Sequence, residues 1–236
     1  MKLSLVITTF NRSDMVLKVF DKVYDHPLID EIIIVDDCSE WDEYCKLSEL
    51  LMRKWKVVLF RNEKNLGMSR NKAEAISKAS NEWCILFDSD NELYLEYLEA
   101  LENHLYINKL LLKNYIYHPS LAIPEHDYGF FDEMEIDKTN AKKFLHMAEF
   151  RCLLNNCNYI VNRDEYLRIY KYDETIKESD TIYFNTLWLE AGNGFYVVPG
   201  MKYHHRKHSG SGWLNGDHKY NMNKAAELQE KIRLLK

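Results

Sequence analysis

The sequence is short of several things, and each shortage removes a class of protein. Only 8 glycines and 4 prolines are spread over 236 residues, too few for a collagenous or low-complexity chain. The five cysteines (Cys38, Cys45, Cys84, Cys152 and Cys157) are odd in number and contain no Cys-x-x-Cys pair. That pattern argues against a disulfide framework or a zinc knuckle and points to a reducing compartment. No window reaches the roughly 18 consecutive apolar residues of a membrane-spanning helix. The first apolar run, Leu3 to Ile7, is too short for a secretory signal and lacks a small-residue cleavage site, so a cytoplasmic location is expected. Positive charge is not in excess either: 31 basic residues against 37 acidic ones give a net charge of −6, which disfavours nucleic acid as the main partner.

What is present is a run of short apolar segments alternating with helical patterns. Leu3–Thr8 and Trp83–Phe87 read as buried strands, because large apolar side chains without alternation suit a sheet covered on both faces, and Ile32–Val35 and Val57–Phe60 read as the second and third strands. Between them lie helical spacings from a turn at 9–14 to Tyr24, with Ser13 a candidate N-cap, from Glu40 to Lys54 and from Met68 to Ala79. Strand and helix in this order predict right-handed βαβ units and a twisted, mostly parallel sheet with helices on both faces.

Beyond Asp90 the alternation becomes irregular. Leu93–Leu105 reads as a helix, Tyr115–Tyr117 and Leu121–Ile123 as two strands, and 127–149 has no clear period, as expected of a specificity loop. Tyr159–Val161 and Phe195–Val198 read as strands, and Arg163–Tyr170 and Asp180–Ala191 as helices. Trp41, Trp55 and Trp83 are expected in the core, whereas Tyr183 and Trp188 are candidates to stack on an acceptor. The last helix, Asn223–Leu235, is expected to dock on the domain, with dimerisation or peripheral membrane contact left open.

Acidic residues gather where these elements begin or end: Asp36-Asp37, Asp88-Ser89-Asp90 and Glu178-Ser179-Asp180. Carboxylates aimed into one crevice repel, and a divalent cation or a donor group offsets that repulsion. Four stretches then carry a resemblance: Ser4-Leu5-Val6-Ile7-Thr8-Thr9-Phe10-Asn11-Arg12, Val35-Asp36-Asp37-Cys38-Ser39, Asn65-Leu66-Gly67-x-x-Arg70-Asn71 and Asp88-Ser89-Asp90. With Tyr172-Asp173-Glu174, Ser179-Asp180-Thr181 and Tyr203-His204-His205-Arg206 farther on, the chain resembles the family 2 glycosyltransferases of GT-A fold over roughly residues 3 to 213.

The resemblance implies a single α/β domain of Rossmann-like twist: 1–105 as the nucleotide-sugar half, 106–213 as the acceptor half with its loop, and 214–236 as a terminal helix. It implies a nucleotide-sugar donor, typically UDP-linked, and a glycan or lipid-linked acceptor. Thr8 and Phe10 would line the nucleotide pocket, Asp37 would accept a hydrogen bond from the base, and Arg70 or Asn71 would fix the nucleotide. For Arg70 a solvated helix face is the rival reading.

Asp88, with Ser89 beside it, would serve the ribose, and Asp90 would be the more direct ligand to Mn²⁺ or Mg²⁺. Asp180 would be the general base of an inverting displacement, although Ser179 stands where the family commonly has an acid. In the tail, His204 is the first candidate for a nitrogen ligand and His208 the second, with His205 expected to point the other way. A sugar-phosphate nucleotidyltransferase is the enzymatic rival, but the turn at 9–12 lacks its glycines. A catalytically silent domain used for glycan binding or assembly is the rival from another class.

Overall fold

The computed structural model describes residues 1–108, 111–207 and 216–235. Four parallel strands build its first half: β1 (Leu3–Thr9), β2 (Ile29–Asp36), β3 (Val57–Arg61) and β4 (Trp83–Asp88). Their connections are the helices α1 (Ser13–Phe20), α2 (Trp41–Leu51) and α3 (Met68–Lys78). β1, β2 and β4 are almost wholly buried, as their uninterrupted apolar runs require. All four strands end at the same edge of the sheet. The register pairs Thr8 with both Val35 and Asp88, which fixes the ends of β1, β2 and β4 side by side.

The second half adds β5 (Glu92–Leu93), α4 (Leu95–Asn108), β6 (Tyr115–Ile123), β7 (His126–Asp127), β8 (Glu135–Ile136), α5 (Ala148–Leu154), β9 (Tyr159–Asn162), α6 (Arg163–Ile169), α7 (Asp180–Glu190) and β10 (Gly194–His204). A final helix spans His218–Leu234. The strand order is β3-β2-β1-β4-β9-β6-β10-β5, with β7 on β6 and β8 on β10. β9 enters antiparallel to both β4 and β6, while β6 and β10 are parallel. The later strands therefore continue the same sheet, and the molecule is one mixed α/β domain.

Several local expectations are corrected. The two strands expected at 115–123 are one strand, β6, that passes through Pro119. A proline cannot donate to a ladder. β6 meets β9 only through Tyr117 opposite Ile160, so the missing N–H falls where that ladder has ended. β10 likewise runs past Val198 to His204, its register shifting between Val198 and Lys202 where Gly200 adopts φ +74°. Ser13 is not a cap: it opens α1, and its hydroxyl and N–H both donate to Glu43. Trp83 is core, but Trp41 and Trp55 are 64 % and 79 % exposed. The final helix does dock, burying Leu228 and Ile232.

His118 lies at the centre of the sheet, fully buried and edge-on between Tyr159 and Phe195 at ring distances of 5.3 and 5.2 Å. Neither ring nitrogen has a hydrogen-bond partner. Burial alone pushes its pKa down to about 3. An unfolded histidine binds a proton near 6.5, so between pH 6.5 and about 3 the unfolded chain holds the extra proton and stability falls as pH falls. This residue should remove about 1.4 kcal/mol per pH unit below 6.5. His118→Phe should flatten the loss of stability between pH 6.5 and 4.5, measured by urea unfolding. An unchanged slope would show that the acid sensitivity originates elsewhere.

Candidate functional site

The β4 strand delivers Asp88 to the sheet edge because its preceding residues are consumed by the core. The Asp88 N–H donates to Asn158 Oδ1 at 2.9 Å, and its Oδ2 accepts the Cys157 thiol at 2.9 Å. Its Oδ1 lies 3.7 Å from Lys72 Nζ. Burial would raise this carboxyl's pKa, but Lys72, the thiol hydrogen bond, Arg12 and His205 outweigh it and hold the group below the usual carboxylate range. Burial, and then the facing Asp88 charge, push the Cys157 thiol well up, so it remains a protonated donor.

Two residues on, Asp90 Oδ2 is held by Arg12 Nη1 at 2.7 Å, from the residue that precedes α1. Ser89 between the two acids is buried. Asn91, also buried, accepts the Arg206 N–H on its Oδ1 at 3.1 Å, which ties the exit of β10 to the acidic turn. Asp180 is the first residue of α7 and is 6 % exposed. Its Oδ2 accepts from Lys72 Nζ at 2.8 Å.

Asp88, Asp90 and Asp180 thus face one cavity of about 720 Å³. Lys72 and Glu178 face it as well, and its outer wall is formed by α5 (Ala148, Arg151, Cys152) and the final helix (Met222, Ala225, Ala226). Ser179 secures that wall, donating from its hydroxyl to Asn221 O at 3.3 Å.

The expected nucleotide residues lie beside this cavity rather than in its lining. Thr8 is the penultimate residue of β1 and Phe10 follows its end, 45 % exposed. The Asp37 carboxylate is nearly saturated: Oδ1 accepts from Asn62 Nδ2 and Leu66 N, each at 2.8 Å, and Oδ2 from Gly67 N at 2.9 Å. A carboxylate has about four acceptor positions, so one on Oδ2 is left. Gly67, at φ +79°, supplies the left-handed turn that opens α3. Asn71 joins this latch by accepting from Asn62 Nδ2 at 2.9 Å. Arg70 stands apart, exposed, its guanidinium 4.9 Å over the Tyr172 ring. Arg61 is the cation that does reach this region, bound to Asp36 at 3.1 Å and lying over Tyr44 at 4.6 Å.

The histidine assignment changes. His204 turns to the opposite side, 3.8 Å from Glu92 and stacked on Tyr94, while Tyr203 and His205 line the cavity. Alternation along the strand holds, and the side that carries Tyr203 and His205 is the one that faces the acids. His208 lies outside the described residues. Trp188 is fully buried and donates to Gly194 O at 2.8 Å, so it cannot stack on an acceptor. Lys72 was missed because a lysine in a helical pattern reads as solvated, and only the three-dimensional meeting of α3, β4 and α7 reveals its burial.

Among the described residues no three His, Cys, Asp or Glu side chains enclose an ion. The cavity is lined by Asp90 and His205, and the His205 Nδ1 is buried with no hydrogen-bond partner. An oxygen and a nitrogen donor of this kind fit a divalent cation that takes its other ligands from a diphosphate.

Residues 4–121 match the family described as Glycosyl transferase family 2. A "Cholesterol galactosyltransferase" of Borreliella burgdorferi is 29% identical over 103 residues, 43% of this chain and 28% of that protein. An "Inactive polypeptide N-acetylgalactosaminyltransferase-like protein 5" of Mus musculus is 37% identical over 76 residues, 31% of this chain and 18% of that protein. The matched stretches thus span less than a third of these relatives. Among solved structures, S. aureus TarS 1-349 in complex with UDP-GlcNAc superposes with a TM-score of 0.70 at 19% identity, covering 97% of this chain and 66% of that one. Its complex with UDP gives 0.69 at 18%, covering 100% and 66%. The fold is the one these structures share.

Asp37→Ala removes the acceptor for three hydrogen bonds at the start of α3. It should cost about 2–4 kcal/mol in denaturant unfolding and speed amide exchange at Leu66 and Gly67. Unaltered exchange there would refute the latch.

Proposed function

The chain belongs to glycosyl transferase family 2, and from that premise we propose that it transfers one sugar from a UDP-sugar to a hydroxyl of a glycan or lipid-linked acceptor, inverting the anomeric carbon. The observation that carries this reading is the convergence of Asp88, Asp90 and Asp180, from two separate parts of the chain, on one cavity. That cavity lies at the carboxyl edge of the parallel strands, where open α/β sheets hold nucleotides.

In this mechanism the nucleotide lies over the ends of β1 and β2, against Thr8 and Phe10, with the remaining acceptor position of Asp37 Oδ2 facing the base. Asp88 takes the ribose hydroxyls, and Ser89 packs beneath the turn. The acceptor enters between α5 and the final helix. Asp180 removes the proton from its hydroxyl as that oxygen attacks the anomeric carbon, and the bond from that carbon to the diphosphate oxygen breaks on the opposite side. Arg12 and Arg206 also line the cavity, and their positive charge favours the developing diphosphate. Asp90 and His205 would hold Mn²⁺ or Mg²⁺, whose contribution when bound is to neutralise charge on the departing UDP.

UDP release from a panel of UDP-sugars, with Mn²⁺ and candidate acceptors, tests the proposal. Asp180→Asn should reduce turnover about 100-fold or more while UDP affinity stays within about threefold of the parent. UDP binding without turnover in the parent would identify a silent glycan-binding or assembly domain instead. Failure to bind UDP at all would reject the donor assignment.

A further inference from the structure

Asp88 and Asp180 stand on different elements, one ending β4 and the other opening α7, yet a single ammonium bridges them. Lys72 Nζ lies 2.8 Å from Asp180 Oδ2, 3.3 Å from Thr181 Oγ1 and 3.7 Å from Asp88 Oδ1. Its side chain is 8% exposed. An ammonium has three donors and no acceptor. Two are spent on adjacent residues at the start of α7, which fixes the head group, and the third side faces β4. Burying this charge is tolerated because two carboxylates compensate it.

The two acids do not depend on Lys72 equally. Asp88 retains the Cys157 thiol on its other oxygen and the Asn158 amide oxygen on its N–H. Among the described residues, the hydrogen bond from Lys72 is the one that the Asp180 carboxylate receives. We propose that Lys72 is a positioning residue for glycosyl transfer, holding the Asp180 carboxylate toward the acceptor hydroxyl and in register with the donor station at Asp88. This rests on the reading of Asp180 as the proton acceptor.

The asymmetry sets the signature. Removing Lys72 leaves Asp88 anchored and Asp180 unanchored, so the transfer step suffers more than donor binding. Lys72 acts through Asp180, so its loss has no further consequence once Asp180 can no longer take a proton. A residue that merely held the fold together would lower stability and the active fraction, and its effect would multiply with that of any other substitution.

The experiment is a double-mutant cycle in the full chain with Lys72→Met, Asp180→Asn and both together, following kcat, donor KM and UDP affinity. Lys72→Met is expected to lower kcat about 30-fold or more and to shift UDP affinity less than about threefold. The double variant is expected to turn over no more slowly than Asp180→Asn alone, within about twofold. A kcat within about threefold of the parent for Lys72→Met, or multiplicative losses in the double variant, overturns the proposal. Should Lys72→Met not be recovered folded, Lys72→Gln takes its place, since its shorter side chain loses both the charge and the reach to Asp180 while staying polar, and the same criteria apply. Should Asp180→Asn itself remain active, the base assignment falls; an inactive Asp180→Asn beside an unimpaired Lys72→Met rejects the role of Lys72 alone.

Discussion

Like charges must be held close together at the carboxyl edge of this sheet, and much of the architecture is arranged around that constraint. Asp36, Asp37, Asp88, Asp90 and Asp180 are all brought to strand ends or a helix start, and each is answered by a named group. Arg61 answers Asp36, backbone N–H groups and Asn62 answer Asp37, Lys72 and Cys157 answer Asp88, Arg12 answers Asp90, and Lys72 answers Asp180. The partners come from β3, the loop after it, α3, the start of α1 and the approach to β9. Carboxylates left without them would repel and take up protons.

The first half of this arrangement was legible in the sequence because its physics is local. A short apolar run bounded by turn residues suits a strand, and an acid that follows it then lies at the sheet's edge. That reasoning correctly located β1 to β4 and placed Asp88 and Asp90 together. It failed where the determining contact is distant in sequence. The burial of Lys72 depends on Asp180, 108 positions away. The cavity-facing histidine depends on which side of β10 meets the acidic turn. Pro119 reads as a break between two strands, and only the place where β9 stops explains how one strand runs through it. Trp41 and Trp55 followed a helical or strand rhythm in the sequence, but α2 and the edge strand β3 lie at the periphery, and the rings face solvent.

The second half of the domain is less regular than the first. β9 and β6 reverse the sheet's direction before β10 restores it, and the segments between them are short helices and turns. This builds one wall of the cavity from α5 and another from the final helix, both outside β1 to β4. Ser179 reaching Asn221, and Asn91 receiving Arg206, join the final helix to the start of α7 and the exit of β10 to the acidic turn.

The latch at Asp37 reaches farther than the pocket it borders. It clamps Gly67, from which α3 rises, and Lys72 lies five positions along the chain. At about 1.5 Å of rise per residue, that is a rigid strut of about 7.5 Å, little more than one helical turn. The latch that holds Gly67 and the backbone position that carries Lys72 are therefore the two ends of one ruler. Its length is set by backbone geometry, so the separation between them cannot drift with the fluctuations of individual side chains.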